Sequence, residues 1–292
     1  MNKNEILNGL SIDVEDYFQV SAFESKIQFS QWSHLESRVF GNTVRILEIL
    51  EHRGVKATFF ILGWIGEKFP KVVNEIHEFG HEVACHSYNH QLVYNMTPDA
   101  FREDIRRTKG VLEDLTGCPV VGFRAPSYSI VQKSLWSLDI LIEEGFLYDS
   151  SIFPIYHDRY GLPGFPRHPY RIRKNGKSIL EFPPSTVRIG GFNFPISGGG
   201  FFRVLPYSFF RWGIKKVNQI EKESVVVYLH PWEVDRNQPR INGGILFNPR
   251  HYINLGRSEK VLKNLIKDFS FVPIRTLYEN LIKKEVKEKI IN

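Results

Sequence analysis

Apolar and polar positions along the chain switch repeatedly between a two-residue and a three-to-four-residue period. Leu10 to Val14 is a short apolar run that ends in acids and predicts a buried strand. Asn42 to His52 then sets Val44, Leu47 and Leu50 at helical spacing, with Gly54 as a stop. Val55 to Leu62, VKATFFIL, is dense in β-forming residues and predicts a second strand. Pro70 opens a helix with Val72, Val73, Ile76 and Phe79 inward, closed by Gly80, and His81 to Cys85 predicts a third strand.

The alternation continues through Thr97 and Pro98, which suit the first two positions of a helix. The threonine oxygen can accept from an early amide, and proline needs no amide partner there. Phe101, Ile105, Leu112 and Leu115 form the inward stripe of that helix, and Gly117 ends it. Val120 to Phe123 predicts a strand, Ser134 to Glu144 a helix and Phe146 to Tyr148 a short strand. From about 154 to 206 proline, glycine and aromatic residues dominate, which predicts an elaborated loop or hairpin insertion. Tyr207 to Glu221 is helical in pattern, and Val225 to Leu229 reads as a fully buried strand. A C-terminal extension from about 234 to 292 predicts a helix from Lys260, a strand near Phe271 to Ile274 and a last basic helix. Repeated strand–helix units of this kind predict an α/β protein with a parallel sheet or barrel, and residues 1–292 read as one domain.

Composition narrows the function classes. The net charge of +6 comes without a dense basic stripe. The richest run, Arg167 to Lys177, is broken by Pro169 and Asn175-Gly176, so nucleic acid is not expected as a partner. The 23 Phe and 12 Tyr read first as core and second as rings lining a sugar groove. Two cysteines, Cys85 and Cys118, cannot make a disulfide framework; both read as core residues of a protein in a reducing compartment. No secretory leader or transmembrane segment is expected, and the default location is cytoplasmic.

The candidate chemistry falls at strand C-termini. Asp13, Glu15 and Asp16 end the first strand, His86 and His90 follow the third, Arg124 follows the fourth, and His230 follows Leu229. Active sites of parallel α/β folds lie at such ends. On one helical turn His86 and His90 would share a face and could bind one metal with a carboxylate as third ligand. His77-Glu78-Phe79-Gly80-His81 matches the zinc-protease pattern H-E-x-x-H, but Gly80 separates a helix from a strand, so the two rings should point apart. Arg124 can orient a carboxylate. His230 and Trp232 stand together at the end of a buried strand.

In order, the segments SIDVED, HSYNH, RAPSY, YDSS and LHP resemble the motifs of the polysaccharide deacetylases of carbohydrate esterase family 4, over about Gly9 to Glu233. The DVED start and the Gly-Phe-Pro-rich later part resemble the branch of bacterial exopolysaccharide systems. The resemblance implies a distorted (β/α) barrel of about seven strands. It also implies removal of acetyl groups from an N-acetylated glycan, with a divalent metal, zinc first, on His86, His90 and one acid of the first motif. It casts Asp13 as base, held by Arg124. The backbone N–H of Tyr128 would donate to the oxyanion, and His230 would protonate the leaving amine under the influence of Asp149. Trp232 would contact substrate, and the 190–203 and 156–170 segments would shape access. Association with a polysaccharide synthesis complex follows from the same likeness. Two departures stand out. Val14 occupies the place of the usual second aspartate, which leaves the metal ligand open between Glu15 and Asp16, or shifts the base to Glu15. YDSS is followed by Ile152 rather than tryptophan. The competing functions are metal-free hydrolysis of cyclic amides or ureides on the same fold, and glycan binding without catalysis.

Overall fold

The computed structural model describes residues 6–174, 176–241, 249–284 and 286–291. With strands numbered in chain order, seven lie side by side and parallel. They run β10 (Val226–Leu229), β1 (Asn8–Val14), β2 (Thr58–Ile61), β3 (Glu82–Cys85), β4 (Gly122–Phe123), β5 (Tyr148–Asp149) and β7 (Lys177–Glu181). Every residue of β1, β2 and β10 is buried, which is why these strands read as unbroken apolar runs rather than alternations. β6 (Tyr170–Lys174) pairs antiparallel with β7, β12 (Glu288–Ile290) extends that edge, and β11 (Phe271–Val272) flanks β1.

Among the described residues no ladder joins β10 to β7. The chain leaving β7 crosses that gap instead: Ser185 N donates to Val226 O at 3.1 Å and Tyr228 N donates to Ser197 O at 2.7 Å. At Gly198 (φ +145°) a Cβ would lie 1.8 Å from the Tyr228 carbonyl oxygen, so only glycine admits this approach. The result is a distorted (β/α) barrel closed by an irregular seam.

The helices cover the outside. They are α1 (Val39–Glu51), α2 (Gly63–Lys68), α3 (Pro70–Glu78), α4 (Pro98–Thr116), α5 (Ser137–Glu143), α6 (Gly200–Val204) and α7 (Tyr207–Lys215), followed by three more over Pro249–Tyr252, Arg257–Asp268 and Ile274–Leu281. α4 has the expected ends: Thr97 Oγ1 accepts from Ala100 N at 3.2 Å and Gly117 takes φ +65°. α1 begins before Asn42, and its inward stripe holds Ile46 rather than Val44. The cause is Asp16, whose Oδ2 accepts from the first amides of the helix, Arg38 N (2.8 Å) and Val39 N (3.2 Å).

Three expectations need correction. The 154–206 segment is hairpin in two places but only partly an excursion, because the β6–β7 hairpin joins the main sheet and only β8 (Thr186–Ile189) with β9 (Phe192–Pro195) stands apart from it. A last helix does follow β11, over Ile274–Leu281, but it stops short of the basic end of the chain, and Glu288–Ile290 form the edge strand β12. Cys118 is exposed; only Cys85 lies in the core.

Candidate active site and metal centre

Four strand ends supply the site. β1 ends at Asp13 and Val14, and its side chains alternate, so Asp13 and Glu15 point the same way while Val14 enters the core. Glu15 Oε1 lies 3.1 Å from His86 Nε2 and 3.0 Å from His90 Nε2. Burial opposes ionisation of Glu15, yet His90, His230 and His86 hold its carboxyl well below the usual range.

The histidine pair does not sit on a helical turn. The chain after β3 is an irregular bend with positive φ at Ser87 (68°) and His90 (58°). Asp104 of α4 holds this bend through Tyr88 N at 3.0 Å, and the first amides of α2, Gly63 N and Trp64 N, donate to Ser87 O and Tyr88 O. The rings converge all the same. His86 Nδ1 donates to Arg124 O at 2.7 Å, which leaves the Nε2 lone pair facing Glu15. Ligand atoms of Glu15, His86 and His90 all lie within 4.8 Å of one another. Tetrahedral zinc with bonds of about 2.0–2.1 Å separates its ligand atoms by roughly 3.3 Å. Two imidazole nitrogens and one carboxylate oxygen, with a carbonyl fixing one tautomer, therefore fit a divalent cation with an open position.

Asp16 is not in this group. Besides the α1 amides it accepts from Ser37 Oγ at 2.7 Å and Tyr17 N at 2.9 Å. Burial pushes its pKa up against those donors, and its carboxylate is fully committed to starting α1.

Arg124 fills the barrel centre with no exposure. Its Nη1 donates to Asp13 Oδ1 at 2.5 Å and Ser11 Oγ at 2.8 Å, and its Nη2 donates to Ser150 Oγ at 2.8 Å. Phe60 stacks beneath the guanidinium at 4.2 Å. Burial disfavours this cation, but the Asp13 carboxylate more than offsets it and raises the pKa. His230 lies opposite, its Nε2 4.0 Å from Asp13 Oδ2 and 3.9 Å from Glu15 Oε1. Burial pulls His230 down, but Glu15, Glu233 and Asp13 together push it up to about 9.

The expected partner of His230 is elsewhere. Asp149 binds Ser151 Oγ and shares a buried carboxyl pair with Glu181. The group behind His230 is Glu233, whose Oε2 lies 3.6 Å from His230 Nδ1 and whose Oε1 accepts from Arg203 Nε at 3.1 Å. Sequence reading missed both. The available signal was the spacing His230-Pro231-Trp232-Glu233, since proline starts a tight turn that brings the residue three positions on back over the histidine.

Tyr128 lines the cleft, but its backbone N–H donates to Ala125 O at 3.1 Å inside a tight turn. The expected oxyanion donor is thus already engaged. Trp232 stacks between His230 (5.2 Å) and His251 (4.4 Å) and forms a wall of the cleft. The cleft encloses about 360 Å³ over Asp13, Glu15, His90, Tyr128, His230 and Trp232. The H-E-x-x-H histidines do not share a helix: His77 lies in the last turn of α3, while His81 follows Gly80 (φ +73°) and is buried with Nδ1 accepting from Ala57 N at 3.1 Å.

Residues 39–139, which hold His86, His90, Arg124 and Tyr128, match the polysaccharide deacetylase family. Residues 150–279, which hold Arg203, His230 and Glu233, match a domain of unknown function, DUF3473. The chain is 36% identical over 98 residues to the peptidoglycan-N-acetylglucosamine deacetylase of Bacillus cereus, a span of 33% of this chain and 36% of that one. The chain therefore spans about a third of the length of this curated relative. Among solved structures, a candidate polysaccharide deacetylase from Mycobacterium smegmatis superimposes with a TM-score of 0.66 at 19% identity, covering 100% of this chain and 96% of that one. The Puue allantoinase superimposes with a TM-score of 0.61 at 16% identity, covering 97% and 92%. Both likenesses are of fold, and the class they define is the distorted (β/α) barrel. Within that class, the first half of this chain is similar in sequence to polysaccharide deacetylases.

Proposed function

We propose that the protein is a metal-dependent de-N-acetylase of an N-acetylated glycan, releasing acetate and a free amine. The observation that carries this reading is the convergence of Glu15, His86 and His90, with Asp13 and His230 within 4.0 Å of each other across the cleft. Glu15, His86 and His90 hold the divalent cation, zinc by the nature of the donors. When bound, it supplies Lewis-acid polarisation of the amide carbonyl and activation of water. Asp13, fixed by Arg124, accepts the proton of the attacking water. His230, backed by Glu233, donates a proton to the departing amine. Tyr128 and Trp232 enclose the acetamide.

The resemblance of the DVED start and the Gly-Phe-Pro-rich later part to the branch of bacterial exopolysaccharide systems supports an exopolysaccharide as the glycan, handled in the cytoplasm beside its synthesis machinery. Among the described residues no helix is long and apolar enough to cross a membrane. Likeness to an allantoinase keeps ureide hydrolysis as the second reading, and the intact carboxylate–histidine set favours the first.

The test is acetate release from N-acetylated oligosaccharides, with metal content measured on the same sample. His86→Ala should lose metal and acetate release together. Acetate release that persists without metal would sink the metal mechanism, and turnover of allantoin in place of glycans would install the second reading.

A further inference from the structure

A second cavity of about 680 Å³ adjoins the catalytic cleft, and the two share His157, Tyr160 and Tyr228 in their walls. Tyr228 stands 5.6 Å from His230, ring centre to ring centre, so the cavity begins one ring away from the proposed acid. Beyond that wall the lining turns apolar: Phe194 from β9, Phe201, Val204 and Leu205 from α6 and its end, Phe209 from α7, and Ile253. Its outer rim is open to solvent, with Val204 57%, Ile253 43% and Phe194 42% exposed. A contiguous apolar surface of this kind on a protein exterior marks a ligand or partner site.

The lining also discriminates between ligands. A sugar subsite needs polar side chains for ring hydroxyls, because a buried hydroxyl without a partner is strongly disfavoured. Among the described residues the lining contributes no carboxylate, amide, guanidinium or aliphatic hydroxyl side chain, and its polar groups, His157, Tyr160 and Tyr228, also line the catalytic cleft. Across the shared wall the lining changes from polar to hydrocarbon. From this juxtaposition we propose that the groove seats the hydrocarbon chain of an amphiphilic substrate, an N-acetylated saccharide carried on a lipid. Its sugar lies in the catalytic cleft and its chain runs past Tyr228 between α6, α7 and β9. The sugar half of this proposal rests on the deacetylase reading; the chain half rests on the groove.

Equilibrium binding and acetate release are measured with methyl, hexyl and octyl β-N-acetylglucosaminides below their micelle concentrations. The octyl glycoside should bind about tenfold or more tightly than the methyl one, with a matching fall in KM. Val204→Glu and Phe194→Glu, both at exposed positions, should abolish that gain while leaving methyl-glycoside turnover unchanged. Affinity that is flat with chain length, or a gain that survives both substitutions, overturns the proposal. Attachment to phosphatidylcholine vesicles without any octyl gain would assign the face to the membrane itself and also overturns it. If octyl binds tightly but no glycoside or oligosaccharide releases acetate, the deacetylase reading fails and the chain site stands.

Discussion

Glu15 and Asp16 are joined by one peptide bond, yet their carboxylates serve different neighbours. Strand alternation sends Glu15 to the histidines, and the turn after β1 sends Asp16 to the start of α1. Removing each charge should separate two properties. Glu15→Gln should lose metal, read by elemental analysis of the purified protein, with its unfolding midpoint little changed. Asp16→Asn should keep metal and lose about 1–3 kcal/mol of stability, read by urea unfolding, because buried amides lose a charged acceptor. The opposite pattern would return the ligand role to Asp16. The pair behind His230 separates in the same way. Glu233→Gln should keep metal and lower kcat roughly tenfold or more, whereas Asp149→Asn should leave kcat within a few-fold. A large loss at Asp149 with none at Glu233 would reverse that assignment.

At the level of elements, His81 shows what a histidine does when it is part of the packing. Its Nδ1 accepts from the Ala57 amide, so the folded protein needs the neutral ring. Burial, and then Lys56, push its pKa from 6.5 down to about 4. Between those values the unfolded chain takes up a proton that the folded chain refuses. Stability is therefore complete above pH 6.5 and falls with pH through the window down to about 4, by on the order of 3 kcal/mol. His81→Asn, which keeps an acceptor, should flatten this part of the curve in urea unfolding at pH 4.5 and 7; an unchanged slope would rule His81 out as its source. Local patterns made much of this scale legible. Proline at α3 and α4, threonine before α4 and glycine after it act within one turn, so their effects can be read from neighbours. The convergence of Asp13, His86, Arg124 and His230 was legible because all four follow apolar runs. What escaped was set by partners distant in sequence. The start of α1 is drawn back by Asp16, and the bend at His86 to His90 is shaped by Asp104; β6 and β7 pair locally with each other, but their place in the main sheet is set by β12 and β5.

For the whole molecule, the buried Arg124 ties the barrel interior to the site. Its removal leaves Asp13 as an unpaired buried charge, a change of about 3–5 kcal/mol for such pairs. Arg124→Met should therefore unfold at markedly lower urea concentration as well as losing turnover; full stability with lost turnover would confine Arg124 to positioning Asp13. The seam between β7 and β10 has a different consequence. The ladders from β10 through β1 to β7 are continuous, but the chain that crosses the seam is tied only at points, by two bonds between Ser185 and Val226, one between Ser197 and Tyr228, and the Gly198 approach to Tyr228. Tyr228 belongs to the wall of the cleft, and α6 follows the seam directly. The barrel can therefore yield there, like a split ring, while its catalytic strands stay in register. Exchanges of side chains along this stretch, Gly198 and Arg203 apart, should alter which molecules enter without disturbing the acids and histidines that meet them.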